Sequence, residues 1–279
     1  MQNPPDDERA LENKTPSDES RLHARSVYEI IAEEGEAELS RPSMSIFWSA
    51  LAAGIAISFS LVAEAALRAD LPDAPWRHLV ESFGYTAGFL LVIMSRLQLF
   101  TENTITPVLP ALKSPSGKTF GAMLRIWSIS FGANLIGGGA AALLIVHGGV
   151  LPASVTAAAL EISHHVEDMG ASETFLRALP AGFIIAGLVW MLPSAKGSEF
   201  WMIFTFIYLI ALGDFAHVIV GSVELFALVW AGDVGLGKVV AANILPALLG
   251  NIAGGTGLFA LLAWAQVREE ISEDPSAAP

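Results

Sequence analysis

The chain contains no cysteine, which excludes disulfides and thiolate-held metals and leaves the redox compartment unmarked. Charge is scarce too: 15% of residues are charged, against about 25% in an ordinary soluble domain. Bases are the rarer sign, 15 Lys and Arg against 28 Asp and Glu, so the basic footprint that nucleic acid requires is missing. No Gly-rich phosphate loop of the P-loop type occurs, which argues against ATP-driven work by this chain. The amino-terminal stretch lacks the short apolar core of a cleaved signal, so the first long apolar segment is expected to direct insertion. Adjacent His164 and His165, with Glu167 and Asp168 beside them, lack the further ligands a chelate needs, and neither a metal nor a cofactor is expected.

What the chain has instead is apolar length. Hydrophobic residues make up 53% of its 279 positions. Residues 42–63, 126–160, 178–195 and 239–267 contain no Asp, Glu, Lys or Arg. Each holds the roughly 17–25 residues that span a bilayer as helix. The expected class is an all-α polytopic membrane protein whose lasting partner is the lipid bilayer. The formal charge of −13 sits largely at the ends: residues 1–43 carry eleven acids against five bases, and residues 268–279 four acids against one Arg. Such runs read as solvated tails.

Three regions follow: a tail over 1–42, a membrane domain over 43–266 and an acidic tail over 267–279. Residues 1–17 have the composition of a disordered segment. Residues 20–39 predict an amphipathic helix with Val27, Ile30 and Ile31 on one face and Gly35 as a weak spot. Its acidic polar face suits packing on a neighbouring subunit or loop better than on anionic lipid. Six spans are expected, at about 43–67, 78–112, 120–146, 174–192, 200–230 and 239–265, with 148–173 as a long loop. The second is broken by the polar residues 96–104, and the fifth by the stretch around His217. Both tails then share one face, with Arg41, Lys113, Lys118, Arg125, Lys196 and Arg268, against Arg68, Arg77, Arg177 and Lys238 on the other. The positive-inside bias makes the tails cytoplasmic.

Two interrupted hydrophobic segments in corresponding halves point to a midplane transport site. Asn134-Leu-Ile-Gly-Gly138 and Asn251-Ile-Ala-Gly-Gly255 match at the same depth of spans three and six. The interval between them sets Leu99–Thr101 opposite Ala216–Val218. Because three spans are an odd number, the 3+3 repeat is inverted. His217 is the ionisable residue inside one break, and an ionisable group in a membrane helix is a functional candidate by default. Desolvation keeps such an imidazole neutral until an anion arrives, which suits a proton or hydrogen-bond donor to a small weak acid. In the opposing break, Thr101, Glu102, Asn103 and Thr104 can satisfy freed backbone groups, and Arg96 is expected to pair with Glu102. Tyr85, Phe89, Leu99, Phe100 and Ile210 supply bulk near the breaks for an apolar constriction.

Leu99-Phe100-Thr101 in one break, His217 in the other and Asn251 through Gly255 in the last span resemble the formate–nitrite transporter family over roughly residues 40–266. The wording Arg96-Leu-Gln-Leu-Phe-Thr-Glu-Asn-Thr104 is most similar to its divergent YfdC-type branch. The resemblance implies a channel rather than an enzyme: an aquaporin-like fold in a homopentamer of a bacterial-type inner membrane, one pore per protomer. It implies His217 as the central histidine, Thr101 as its facing threonine and Asn251 as a pore-supporting asparagine. It sets Tyr85 and Phe89 at one constriction and Ile210 at the other. The transported class it implies is small monovalent weak acids, of the formate or nitrite kind, or their neutral forms. Where anion-conducting members have a vestibule lysine this chain has about Gly170, beside Glu167, Asp168 and Glu173. An asparagine of the fourth span is Ala186, and the glutamate before the histidine is Ala216. These departures weigh on anion selectivity, so a pore for neutral or cationic solutes, or a non-conducting membrane scaffold or sensor, is the alternative.

Overall fold

The computed structural model describes residues 22–272, and every regular element among them is helical. The stretches 1–21 and 273–279, which include the segment expected to be disordered and most of the acidic end, lie outside the described residues.

Helix α1, Ala24–Ser40, is the amphipathic one. It buries Val27, Tyr28, Ile31, Ala32 and Gly35, while Ile30 is half-buried. Its seat is its own chain: the Tyr28 hydroxyl donates to Leu109 O at 3.4 Å, and Arg25 Nη1 donates to Glu270 O at 3.3 Å. Gly35 is a contact, not a weak spot, because a Cβ there would stand 2.1 Å from Thr106 O.

Besides single 3-10 turns at Glu102–Thr104 and Leu192–Ser194, the remaining elements are α2 (Ser43–Asp70), α3 (Arg77–Met94), α4 (Val108–Lys113), α5 (Gly117–His147), α6 (Ala153–Glu167), α7 (Ala171–Met191), α8 (Glu199–Leu212), α9 (Val218–Ala231) and α10 (Leu236–Ile271). Local chemistry sets several of the ends. Ser116 caps α5 by accepting from Thr119 N–H, and Gly232 stops α9 at φ 87°, a left-handed conformation that glycine adopts without strain. Helix α10 widens into π-type turns over Val240–Ile244 and Ala253–Ala260. Pro246 follows the first and lacks a donor, and Gly254, Gly255 and Gly257 loosen the second.

Residues 148–173 correct the loop expected there. Pro152 precedes fifteen helical residues rich in alanine, and α6 buries Ala158, Ala159 and Ile162. A helix start was hidden because Gly148, Gly149 and Pro152 punctuate the stretch just before it.

Among the described residues α2, α5, α7 and α10 are long and apolar enough to cross a membrane, and α8 and α9 are shorter apolar helices. Large apolar side chains also face outward, including Trp48, Leu124, Leu176, Trp201 and Leu262, each at least 54% exposed. Water would penalise so much apolar surface, whereas lipid does not. This is a multi-pass membrane protein. Its long helices cross at one repeated device: α2 meets α5 at Gly54, where a Cβ would lie 2.2 Å from Asn134 O. Helix α7 meets α10 at Gly182, 2.3 Å from Asn251 O. Only glycine admits that backbone approach.

Candidate functional site

Two turns carry the chain inward between the long helices. After α3 it reverses at Arg96, φ 52°, and after α8 at Asp214, φ 49°. The bonding is the same in both: Leu97 N–H donates to Val92 O and Phe215 N–H to Ile210 O, each at 3.0 Å. This is the left-handed helix stop usually given to glycine. Beyond each turn an asparagine fixes the reversed strand of backbone. Asn134 Oδ1 accepts from Phe100 N–H at 2.9 Å, and its Nδ2 donates to Ala50 O and Gln98 O. Asn251 Oδ1 accepts from Val218 N–H at 2.9 Å, and its Nδ2 donates to Ala178 O and Ala216 O. Both asparagines are fully buried. Non-helical backbone at this depth needs such partners, since no solvent replaces them. Set side by side, these bonds match Phe100 with Val218, one residue off the register that aligns the two asparagines.

The two turns meet at one hydrogen bond. His217 Nε2 lies 2.7 Å from Thr101 Oγ1, and both residues are buried. His217 is also the N-cap of α9, its Nδ1 accepting from Val220 N–H at 3.3 Å. A nitrogen that accepts carries no proton, so the ring is the neutral Nε2–H tautomer, assigned here from its bonding. Nε2–H then donates to Thr101 Oγ1, which leaves the hydroxyl hydrogen of this fully buried threonine without an acceptor among the described residues, although Thr101 does not itself line the cavity that reaches His217. The Phe89 ring packs edge-on against the imidazole with centroids 4.8 Å apart, and Tyr85 packs on Phe89 at 5.5 Å. Thr256 Oγ1 donates to Thr104 O at 2.6 Å and ties α10 to the first turn.

A cavity of about 400 Å³ reaches His217, with Tyr85 and Ile210 in its wall. The other predicted residues go elsewhere. Leu99 and Phe100 are buried but do not line the cavity; Phe100 packs on Phe131 at 5.2 Å and Trp127 at 6.0 Å. Arg96 does not pair with Glu102: the left-handed turn throws its side chain outward, 88% exposed and 4.0 Å from Glu34. Glu102 Oε1 is buried without a hydrogen-bond partner. Gly170, Asp168 and Glu173 are exposed at the start of α7, Glu173 pairing with Arg177, and Glu167 pairs with Lys238. None of these four lines the cavity.

The charged residues of the cavity wall include three acids the sequence reading passed over, Glu64, Glu81 and Glu224, beside Arg68, Arg77, Asp73 and Asp214. The signal was available, because Glu64 ends the first uncharged run and Glu224 is the one Asp, Glu, Lys or Arg in residues 215–231. Arg68 bridges Glu81 and Glu161 at 2.8 Å each. That bond holds the Glu161 carboxyl of α6 below the usual carboxylate range.

Comparison with known proteins agrees with this architecture. The family model described as formate/nitrite transporter matches residues 25–265. "Inner membrane protein YfdC" of Escherichia coli (strain K12) is 39% identical over 268 residues, covering 95% of this chain and 86% of that protein. Among solved structures, a "pentameric formate channel with formate bound" aligns at 20% identity with TM-score 0.69, over 81% of this chain and 98% of the other. An "FNT family ion channel" aligns at 19% identity with TM-score 0.74, over 87% and 98%.

Proposed function

Since this chain belongs to the formate/nitrite transporter family, we propose that it is a passive channel in which small weak acids cross in neutral form past Thr101 and His217. The observation that carries the reading is the 2.7 Å hydrogen bond between those two residues, where two inward turns meet. A threonine hydroxyl held as acceptor by a neutral imidazole offers one hydrogen to an arriving oxygen. Phe89 and Tyr85 exclude water around it, so an unpaired ion is disfavoured there and its conjugate acid is not. Asn251 acts at one remove, by holding the backbone on either side of His217.

The chain makes six crossings, the second and fifth interrupted, arranged as an inverted 3+3 repeat with an aquaporin-like hourglass. Support comes from the paired left-handed turns at Arg96 and Asp214, the paired asparagine clips and the paired glycine crossings. The assembly is a homopentamer in an inner membrane, one pore per protomer, with residues 43–266 as the channel and both tails in the cytoplasm. A pentameric formate channel of similar fold supports the assembly.

The test is formate-driven acidification inside proteoliposomes loaded with a pH dye. Wild-type vesicles acidify faster than protein-free ones, and His217→Phe and Thr101→Val each slow the rate by about tenfold or more. Rates equal to wild type in both variants would overturn the reading.

A further inference from the structure

The wall of the cavity holds two carboxylates that make no hydrogen bond and no ion pair within 4 Å among the described residues: Glu64 on α2, 8% exposed and within reach of the Arg68 charge, and Glu224 on α9, 4% exposed. The lining arginines are already engaged. Arg68 is taken by Glu81 and Glu161, and Arg77 by Asp73 at 3.3 Å. Four more polar atoms of the same wall make no hydrogen bond: the acceptors Asn243 Oδ1 and Glu81 Oε2, the donor Arg68 Nε, and Thr174 Oγ1, a hydroxyl that can do either. The Asn243 amide cannot turn round to serve otherwise, because its Nδ2 donates to Val166 O and Met169 O.

We propose that this vestibule is a binding site for a small protonated amine of the ammonium class, held by Glu64 and Glu224. An ionised carboxylate in a wall of low dielectric needs a compensating charge, and both of these carboxylates line the cavity. Acceptors outnumber donors among the unsatisfied groups of the wall, Arg68 Nε being the one pure donor against Asn243 Oδ1, Glu81 Oε2 and the two carboxylates, so the compensating species is a hydrogen-bond donor. A multivalent metal ion fits poorly, because it draws several oxygens together at short range. No group of three His, Cys, Asp or Glu among the described residues is placed to do so. An ammonium group satisfies acceptors that are spread apart, and the Tyr85 ring in the same wall offers it a cationic face contact. Glu224 stands seven residues after His217 on one face of α9, with Gly221 between them. A Cβ at Gly221 would come 3.9 Å from Glu224 Oε2, so the glycine keeps the route from carboxylate to imidazole open. The site rests on the conduit proposed above and adds the charge class that its mouth admits: protonated amines are gathered, and formate-like anions are held off.

Binding of radiolabelled methylammonium to the purified protein, read by scintillation proximity, tests the site without requiring flux. Wild type binds saturably, ammonium displaces the label, and formate does not. Glu64→Gln and Glu224→Gln, which keep the side-chain shape, each weaken binding by about tenfold or more. The acidification assay on the same preparations separates the two readings. Methylammonium binding without any solute flux leaves the site standing and defeats the channel. Formic acid flux without methylammonium binding defeats the site alone. No saturable binding in wild type, or wild-type affinity in both Gln variants, would overturn the proposal even if a variant were poorly folded.

Discussion

Replacing Asn251 with Ala removes three hydrogen bonds of 2.9 Å from a side chain that is fully buried. Two of the abandoned groups, Val218 N–H and Ala216 O, lie where helix geometry has broken, so nothing else in the turn satisfies them. Each buried, unsatisfied group costs about 1–3 kcal/mol. Ala178 O lies inside α7 and keeps its helical bond, so its loss adds less. The expected cost is about 3–6 kcal/mol. At about 2–4 °C per kcal/mol for a chain of this size, the melting temperature falls by at least about 6 °C. Flux suffers more than stability suggests, because Val218 and Ala216 flank His217, and a displacement of about 1 Å at such a group costs about a hundredfold. Asn251→Asp does not rescue: it keeps the acceptor for Val218 N–H but sets a carboxylate oxygen against two carbonyls. Thermal unfolding in detergent, followed by size-exclusion fluorescence, and proteoliposome acidification measure the two effects. An Asn251→Ala protein that melts within about 2 °C of wild type and conducts normally would refute the clip argument.

Asn134→Ala, the counterpart in the first turn, is expected to cost a similar amount, and melting curves compare the two directly. Burial, aided by the Glu36 charge, pushes the Tyr28 hydroxyl up to about 12. With the folded value above the unfolded one of about 10, its contribution is whole below pH 10 and lost as the pH rises towards 12. Ultraviolet titration with Tyr85 and Tyr208 changed to Phe should therefore place the remaining phenolate late, whereas a transition near pH 10 would contradict the docking of α1. Arg96→Gly relieves a left-handed residue worth about 1–2 kcal/mol, less about 0.5–1 kcal/mol of chain entropy, so its melting temperature should equal or slightly exceed wild type. Gly170→Lys adds a base at the start of α7, beside the cavity-lining Met169 and Thr174 and with open space at its Cβ. Formate flux should rise, and an unchanged rate would mean that charge at this mouth does not govern anion access.

The long apolar helices were legible because uncharged runs of bilayer length are decided by composition alone. His217 was legible for the opposite reason, as an ionisable residue within an apolar segment. The same rule would have found Glu64 and Glu224, but attention to the loop acids Glu167, Asp168 and Glu173 displaced it, and those acids are engaged or exposed. Distances across the fold were not legible. Which asparagine nitrogen meets which carbonyl depends on two helices crossing at Gly54 or Gly182, and sequence spacing does not report a crossing. The Arg96–Glu102 pairing failed on a backbone angle: a left-handed residue points its side chain the other way.

The ownership of the two asparagine clips bears on how the protein is made. Everything Asn134 holds, from Ala50 to Phe100, has left the ribosome before it does, and the same is true of Asn251 with Ala178 through Val218. Each half can therefore close its own turn while it is being synthesised. The hydrogen bond of Thr101 to His217 must wait for both, since its partners are 116 residues apart. A ribosome stalled after α5 would leave the first turn with its asparagine clip but with Thr101 lacking its partner, so the meeting point of the two turns is made only by the complete chain.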